Sequence, residues 1–133
     1  MTTFVDTSAF ITLLDDADER FEDASRWLRQ VATEGDEALL THSYVVAESI
    51  AVIQRRLGVS AIQGFIDNLL PVCEIWFVDR ELHERAIVAY LAGLRRGSSF
   101  VDRVSFELMR SERIDRALAF DRDFAREGFE TVP

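Results

Sequence analysis

The sequence has no lysine: all 15 of its basic residues are arginine. The chain therefore offers forked, planar cations suited to phosphates and carboxylates rather than point charges. Cysteine is nearly absent as well. The one thiol, Cys73, lies in the apolar stretch VCEIWFV, so no internal disulfide can form and a buried, inert thiol is expected. Long hydrophobic runs are also missing. No apolar stretch approaches the roughly 20 residues of a membrane-spanning helix. The opening MTTFVDT lacks the basic and apolar regions of a signal peptide, so the expectation is a cytoplasmic protein with no membrane contact. Positive charge is in short supply too, with 15 basic against 24 acidic residues and a net charge of −9. That balance repels nucleic acid at long range and excludes a sequence-indifferent DNA coat protein, but it leaves room for a local basic track or a metal-bridged phosphate site.

What is present is enough apolar material for one core. With 133 residues and 48% hydrophobic content, the chain reads as a single domain over 1–133, with no repeat, low-complexity segment or linker. TTFVD reads as a buried strand. After the loop-like DDADE, Phe21, Ala24, Trp27, Leu28 and Val31 recur at helical spacing, and Gly35-Asp36 precedes the strand-like ALLT. A helix is expected from about Ser43 to Leu57, stopped by Gly58. A further apolar stripe, Ile62 to Leu70, ends at Pro71, and IWFV reads as a third strand. The next helix carries Leu82, Ala86, Ile87, Tyr90, Leu91 and Leu94 on one face, with Asp79 as its cap and Gly97 as its stop. Ser99 to about Glu112 is helical again, RALAF is a fourth strand and FETV a short fifth. Strands alternating with helical crossovers predict an α/β sandwich on a mainly parallel sheet of four or five strands.

Such sheets collect functional groups at the carboxyl ends of their strands. Acids fall there: Asp6 at the end of the first strand pattern, Asp121 directly after RALAF, and Asp102 at the start of a helix in S-F-V-D. Glu48 interrupts the nearly apolar YVVAESIAVI, about a turn and a half into its helix. Carboxylates brought into one small volume cannot all stay ionised without a cation. Their hard oxygens suit Mg²⁺ or Mn²⁺, whereas His42, His83 and Cys73 show no spacing that would hold zinc. Each acid also has a structural reading. Asp102 with Ser99 fits a capping box, Asp6 can begin an Asx-turn with Thr7 and Ser8, and Asp121 and Asp123 in FDRDF fit a turn. Glu48 can pair with Arg55 or Arg56, but buried alone it would cost several kcal/mol.

Taken in order, VDTSAFI, Glu48 in a mid-chain helix, SFVDRVSFELM and LAFDRDF resemble the PIN-domain ribonucleases of the VapC toxin type, over nearly the whole chain. The resemblance implies a three-layer PIN-like α/β sandwich, an acidic pocket binding Mg²⁺ or Mn²⁺, and endonucleolytic RNA cleavage leaving a 5′-phosphate and a 3′-hydroxyl. By position, Asp6, Glu48, Asp102 and Asp121 match the family's catalytic and metal-binding acids. Ser8 matches a supporting hydroxyl, and Asp123 is an alternative to Asp121 as fourth ligand. Structured RNA such as a transfer RNA or ribosomal RNA loop is the implied substrate, a VapB-like antitoxin the implied partner, and a homodimer the implied assembly.

From the residues themselves, Arg95 and Arg96 precede the Gly97-Ser98-Ser99 loop into Asp102, where they can grip phosphates or simply stabilise a helix end. Aromatic and basic residues do not interleave as a single-strand platform would require. The wide apolar cover of YVVAESIAVI and AIQGFIDNLL suits either deep burial or contact with another chain. Two rival classes stand beside the nuclease. A metal-dependent phosphatase would carry a second aspartate where this chain has Ser8, and would use a lysine that the chain lacks. A non-catalytic α/β binding or regulatory module, its acids serving as caps or as a cation site, would bind metal without cutting RNA.

Overall fold

A computed structural model describes residues 1–133. Strands β1 (Thr2–Val5), β2 (Ala38–His42), β3 (Glu74–Trp76), β4 (Arg116–Leu118) and β5 (Glu130–Val132) form one sheet in the order β3-β2-β1-β4-β5. Every pairing is parallel, with Phe4 opposite Leu40 on one side and Ala117 on the other. Parallel neighbours require crossovers. These are supplied by α1 (Thr7–Leu13), α2 (Phe21–Glu34), α3 (Ser43–Arg56), α4 (Val59–Gly64), α5 (Arg80–Ala92), α6 (Phe100–Ser111) and α7 (Arg122–Arg126). The chain builds outward from β1 to β2 and β3, then returns to lay β4 on the other side of β1. The carboxyl ends of β1 and β4 therefore flank the point where strand order reverses, the place in such sheets where a crevice opens.

The central strands are buried as near-continuous apolar runs, as a sheet covered on both faces demands. Phe4, Val5, Ala117 and Leu118 are at most 1% exposed. Helices add fully buried aromatics to the same core: Phe10 of α1 meets Phe65 edge-on at 5.0 Å, and Phe106 of α6 meets Phe124 of α7 at 5.0 Å. No helix is long and apolar enough to cross a membrane.

Several elements differ from the sequence expectation. TSAFITL is helix α1, although its β-branched and aromatic residues favour extended backbone. Asp6 stands just outside β1 and caps α1, and burial of Phe10 outweighs local propensity. Ile62 to Leu70 is not one helix: α4 gives way to a π turn over Phe65–Leu69 and a 3₁₀ turn over Leu70–Val72 that contains Pro71. The third strand ends at Trp76, leaving Phe77 exposed. Asp79 does cap α5, its carboxylate accepting the Leu82 N–H at 2.9 Å. However, α5 ends at Gly93 rather than Gly97, and Leu94–Arg96 forms a separate 3₁₀ turn closed by Gly97 at φ 79°. Gly93 is packed so tightly that a Cβ there would lie 2.7 Å from Arg103 Nη2. Val88, Leu91 and Leu94 stand 69%, 61% and 52% exposed, while Leu82 and Ala86 reach the core.

His42, whose spacing does not suit zinc, is structural. Its Nδ1 accepts the N–H groups of Tyr44 and Val45, capping α3, so the proton sits on Nε2 and is donated to Ser105 Oγ at 2.8 Å. Burial pushes its pKa down to about 3.

Candidate metal centre

Asp6 leaves β1 as the N-cap of α1 and is 4% exposed. Ser8 donates twice to its Oδ2, from the backbone N–H at 3.2 Å and from Oγ at 2.7 Å, and Ser8 Oγ in turn accepts the Phe120 N–H at 3.0 Å. One hydroxyl thus ties the end of β1 to the segment following β4 and orients a carboxylate whose Oδ1 has no donor from the chain. Burial raises the Asp6 pKa to about 6; the nearby charge of Asp121 adds to this and the Ser8 hydrogen bonds oppose it.

Asp102 is the third helical residue of α6 and 8% exposed. Its backbone N–H donates to Ser99 Oγ at 3.0 Å, which is one half of a capping box. The other half is not made, because the Asp102 carboxylate accepts no hydrogen bond from the chain. Capping therefore explains Ser99 and leaves the carboxylate without a structural task. Its pKa is raised to about 7, first by burial and then by the charges of Asp6, Asp121, Glu48 and Asp123.

Those four neighbours are the acids singled out in the sequence. Asp121 caps α7 with Oδ1 accepting the Asp123 N–H at 2.9 Å, which leaves Oδ2 free. Asp123 accepts one bond, from the exposed Arg126 at 3.3 Å. Glu48 is half-buried on α3 with neither a hydrogen bond nor an ion pair, and Arg55 and Arg56 point elsewhere into solvent without pairing to it. One oxygen each from Asp102, Asp121 and Asp123 lie within 4.8 Å of one another, a spacing that can hold a metal ion. Asp6 and Glu48 lie outside that tight trio and act on it through their charge. The donor set is all carboxylate and free of sulfur and imidazole, which fits a hard divalent cation. Five acids from three helices and a strand end, gathered at the reversal point of the sheet, are a destabilising arrangement until such a cation offsets the repulsion.

A second group behind the acids escaped the sequence reading. Arg103, next to Asp102 and 4% exposed, donates to Glu127 Oε1 at 2.9 Å, and Arg110 donates to Oε2 at 2.7 Å. Burial works to raise the Glu127 pKa, but these two guanidinium groups outweigh it and hold the carboxyl below its usual range. The pairing clamps the end of α7 to α6 and so keeps Asp121 and Asp123 opposite Asp102. Nothing in the spacing of REGF announces it. Arg95 and Arg96 are exposed on the 3₁₀ turn; Arg96 lies 4.0 Å from Glu127, whereas Arg95 has no acidic partner.

Comparison with known proteins agrees with this architecture. The family model described as PIN domain matches residues 3–130. The chain is 33% identical over 131 residues to the 23S rRNA-specific endonuclease VapC20 of Mycobacterium tuberculosis, covering 97% of this chain and 96% of that protein. The crystal structure of the same M. tuberculosis protein, described as a Sarcin-Ricin loop cleaving toxin, superposes with a TM-score of 0.86 at 32% identity over the full length of both chains. The fold also matches that of VapBC2 from Rickettsia felis, solved bound to a DNA fragment from its promoter, with a TM-score of 0.74 at 13% identity over 98% of this chain and 97% of that one.

Proposed function

The chain belongs to the PIN-domain family, and from that premise we propose that residues 1–133 form one PIN-like domain acting as a metal-dependent endoribonuclease, the toxin of a toxin–antitoxin pair. The observation that carries this reading is the gathering of four carboxylates around a buried Asp102, whose pKa is raised to about 7 by burial and then by their charges, with no structural duty to explain it. Asp102, Asp121 and Asp123 would hold Mg²⁺ or Mn²⁺, with the free Oδ1 of Asp6 as a further donor. When bound, the cation supplies a nucleophile near neutral pH and charge relief at the phosphate.

The chain's own residues do the rest. Ser8 fixes the orientation of Asp6, and the Arg103–Glu127 pair keeps the two halves of the acidic set apposed. Glu48, unpaired and half-buried, orients the attacking water and accepts its proton. Arg95, free of any acidic partner, and Arg96 beside it meet the RNA backbone. The substrate is RNA, with a ribosomal RNA loop favoured by the activity of the M. tuberculosis relative. A VapB-like antitoxin is the cognate inhibitor, and the exposed apolar row Val88, Leu91 and Leu94 suits a homodimer.

The test is cleavage of RNA by the wild type and by Asp102→Asn. Cleavage in Mn²⁺ or Mg²⁺ that stops on chelation, and that folded Asp102→Asn lacks, is the expected result. Metal-dependent stabilisation with no cleavage of any RNA would replace the nuclease with a non-catalytic binding module.

A further inference from the structure

Beside the acids the fold assembles an aromatic pocket whose members are scattered through the sequence. Tyr44 lies one helical turn before Glu48 on α3, and Phe100 lies two residues before Asp102 on α6. Their rings are 6.0 Å apart. His83 of α5 packs edge-on to Phe100 at 5.4 Å, and its Nδ1 is 2.7 Å from the Tyr44 hydroxyl. Tyr90, two turns along α5, stands edge-on to Phe100 at 5.9 Å. None of these four rings is fully buried. Two of them, Tyr44 and His83, border a cavity of about 630 Å³, within the ~300–1,000 Å³ range of small-molecule sites, which Val78, Asp79, Arg80, Glu84, Ile87 and Val88 complete.

We infer that this pocket receives one unpaired base of the RNA, and that it sets a base preference next to the cleavage site. The inference rests on the RNA-cleaving reading for the identity of its ligand. Three features suit a base. The aromatic and aliphatic walls offer stacking faces, which suit any nucleobase. Asp79 caps α5 through one oxygen and Glu84 pairs with Arg80 at 3.5 Å, so each keeps an oxygen that can accept a hydrogen bond from an exocyclic amino group, and adenine, cytosine or guanine is favoured over uracil. His83 supplies an adaptable contact: the Tyr44 hydroxyl occupies Nδ1, leaving Nε2 without a partner in the chain. If Tyr44 donates, Nε2–H is a free donor; if Tyr44 accepts, Nε2 is a free acceptor. Continuity with the acids comes through Tyr44 and Phe100, which share helices with Glu48 and Asp102. A base seated here therefore holds its own phosphate near the acidic set.

The experiment measures binding of short single-stranded RNAs, with each base or an abasic residue at each position, by fluorescence anisotropy in chelator. Cleavage of the same RNAs in Mn²⁺ is followed in parallel. Wild type, Tyr44→Ala and His83→Ala are compared after thermal melts confirm folding. For wild type, one position should lose about tenfold in affinity when it becomes abasic, the effect of one stacked base. A smaller loss is expected for uracil there. In both variants the discrimination should fall below about twofold, and KM for the preferred RNA should rise while kcat on the abasic RNA stays level. NMR of wild type, needing no variant, should show the His83 ring signals shifting on RNA addition.

Binding variants that keep the wild-type base preference, or His83 signals indifferent to RNA, overturn the subsite. Discrimination that is lost in the variants while wild type cuts no RNA keeps the subsite and removes the nuclease. Cleavage with no base preference at any position does the reverse, and no RNA binding at all removes both.

Discussion

Replacing Asp102 with asparagine should make the metal-free protein more stable, the opposite of what a substitution at a buried, hydrogen-bonded residue does. The carboxylate accepts no bond that the amide would lose, is 8% exposed, and sits among four other acids. Its pKa moves from 3.8 unfolded to about 7 folded. Between those values the folded chain holds a proton that the unfolded chain has released, so wild-type stability falls as pH rises through that window. Fully above it, the ionised side chain costs about 4 kcal/mol, and local relaxation brings the expected gain of Asp102→Asn to about 2–4 kcal/mol. For a chain of this length that is on the order of 10 °C in Tm. The gain should be largest at pH 8 and shrink as pH falls toward 4. His42, whose pKa is pushed down to about 3, acts in the opposite direction, but it is common to both proteins and cancels in the difference. Differential scanning calorimetry in chelator at pH 5 and pH 8 reads this directly. Adding Mn²⁺ should then stabilise the wild type and leave the variant nearly unchanged. A variant less stable than wild type at pH 8, or an equal difference at both pH values, would refute the crowding argument.

Three further substitutions separate the roles of the surrounding residues. Glu48→Gln removes no hydrogen bond or ion pair but takes one like charge away from Asp102, so its metal-free stability should rise by up to about 1 kcal/mol in urea melts, while the Mn²⁺-induced rise in Tm diminishes. Glu127→Gln strands Arg103 without its counter-charge at 4% exposure and should lower stability by about 3 kcal/mol in the same assay. Ser8→Ala deletes two partners at once, the acceptor for Phe120 N–H and a donor to Asp6. It should cost about 1–2 kcal/mol and, by NMR titration of the metal-free protein, move the Asp6 pKa above its value of about 6.

The parts of this molecule legible in the sequence are those with short-range causes. β1, β2 and β4 announce themselves as buried runs, α3 and α6 by periodicity and stops, and the acids by their places at the ends of those patterns. The α1 helix was hidden because Phe10, Ile11 and Thr12 prefer extended backbone, and only the tertiary contact of Phe10 with Phe65 reverses that preference. α5 ends at Gly93, beside a guanidinium ten residues further on that fills the space a Cβ there would need. Arg103 with Glu127, His42 with Ser105, and Tyr44 with His83 join residues 24, 63 and 39 positions apart, which no local window can relate. The same limit explains why an aromatic cluster looked absent: its rings come from three helices.

The strand order also governs when the acidic set comes together. β1 is made first and lies at the centre, but its second neighbour is β4, with Thr3 beside Arg116. Until β4 has left the ribosome, Asp6 faces an open sheet edge, and neither Asp102 on a settled α6 nor Asp121 can reach it. The half-made chain thus has no assembled acidic set while its synthesis is still under way. Non-local pairing of this kind slows folding, and here it defers the acidic centre until the far end of the chain has been made.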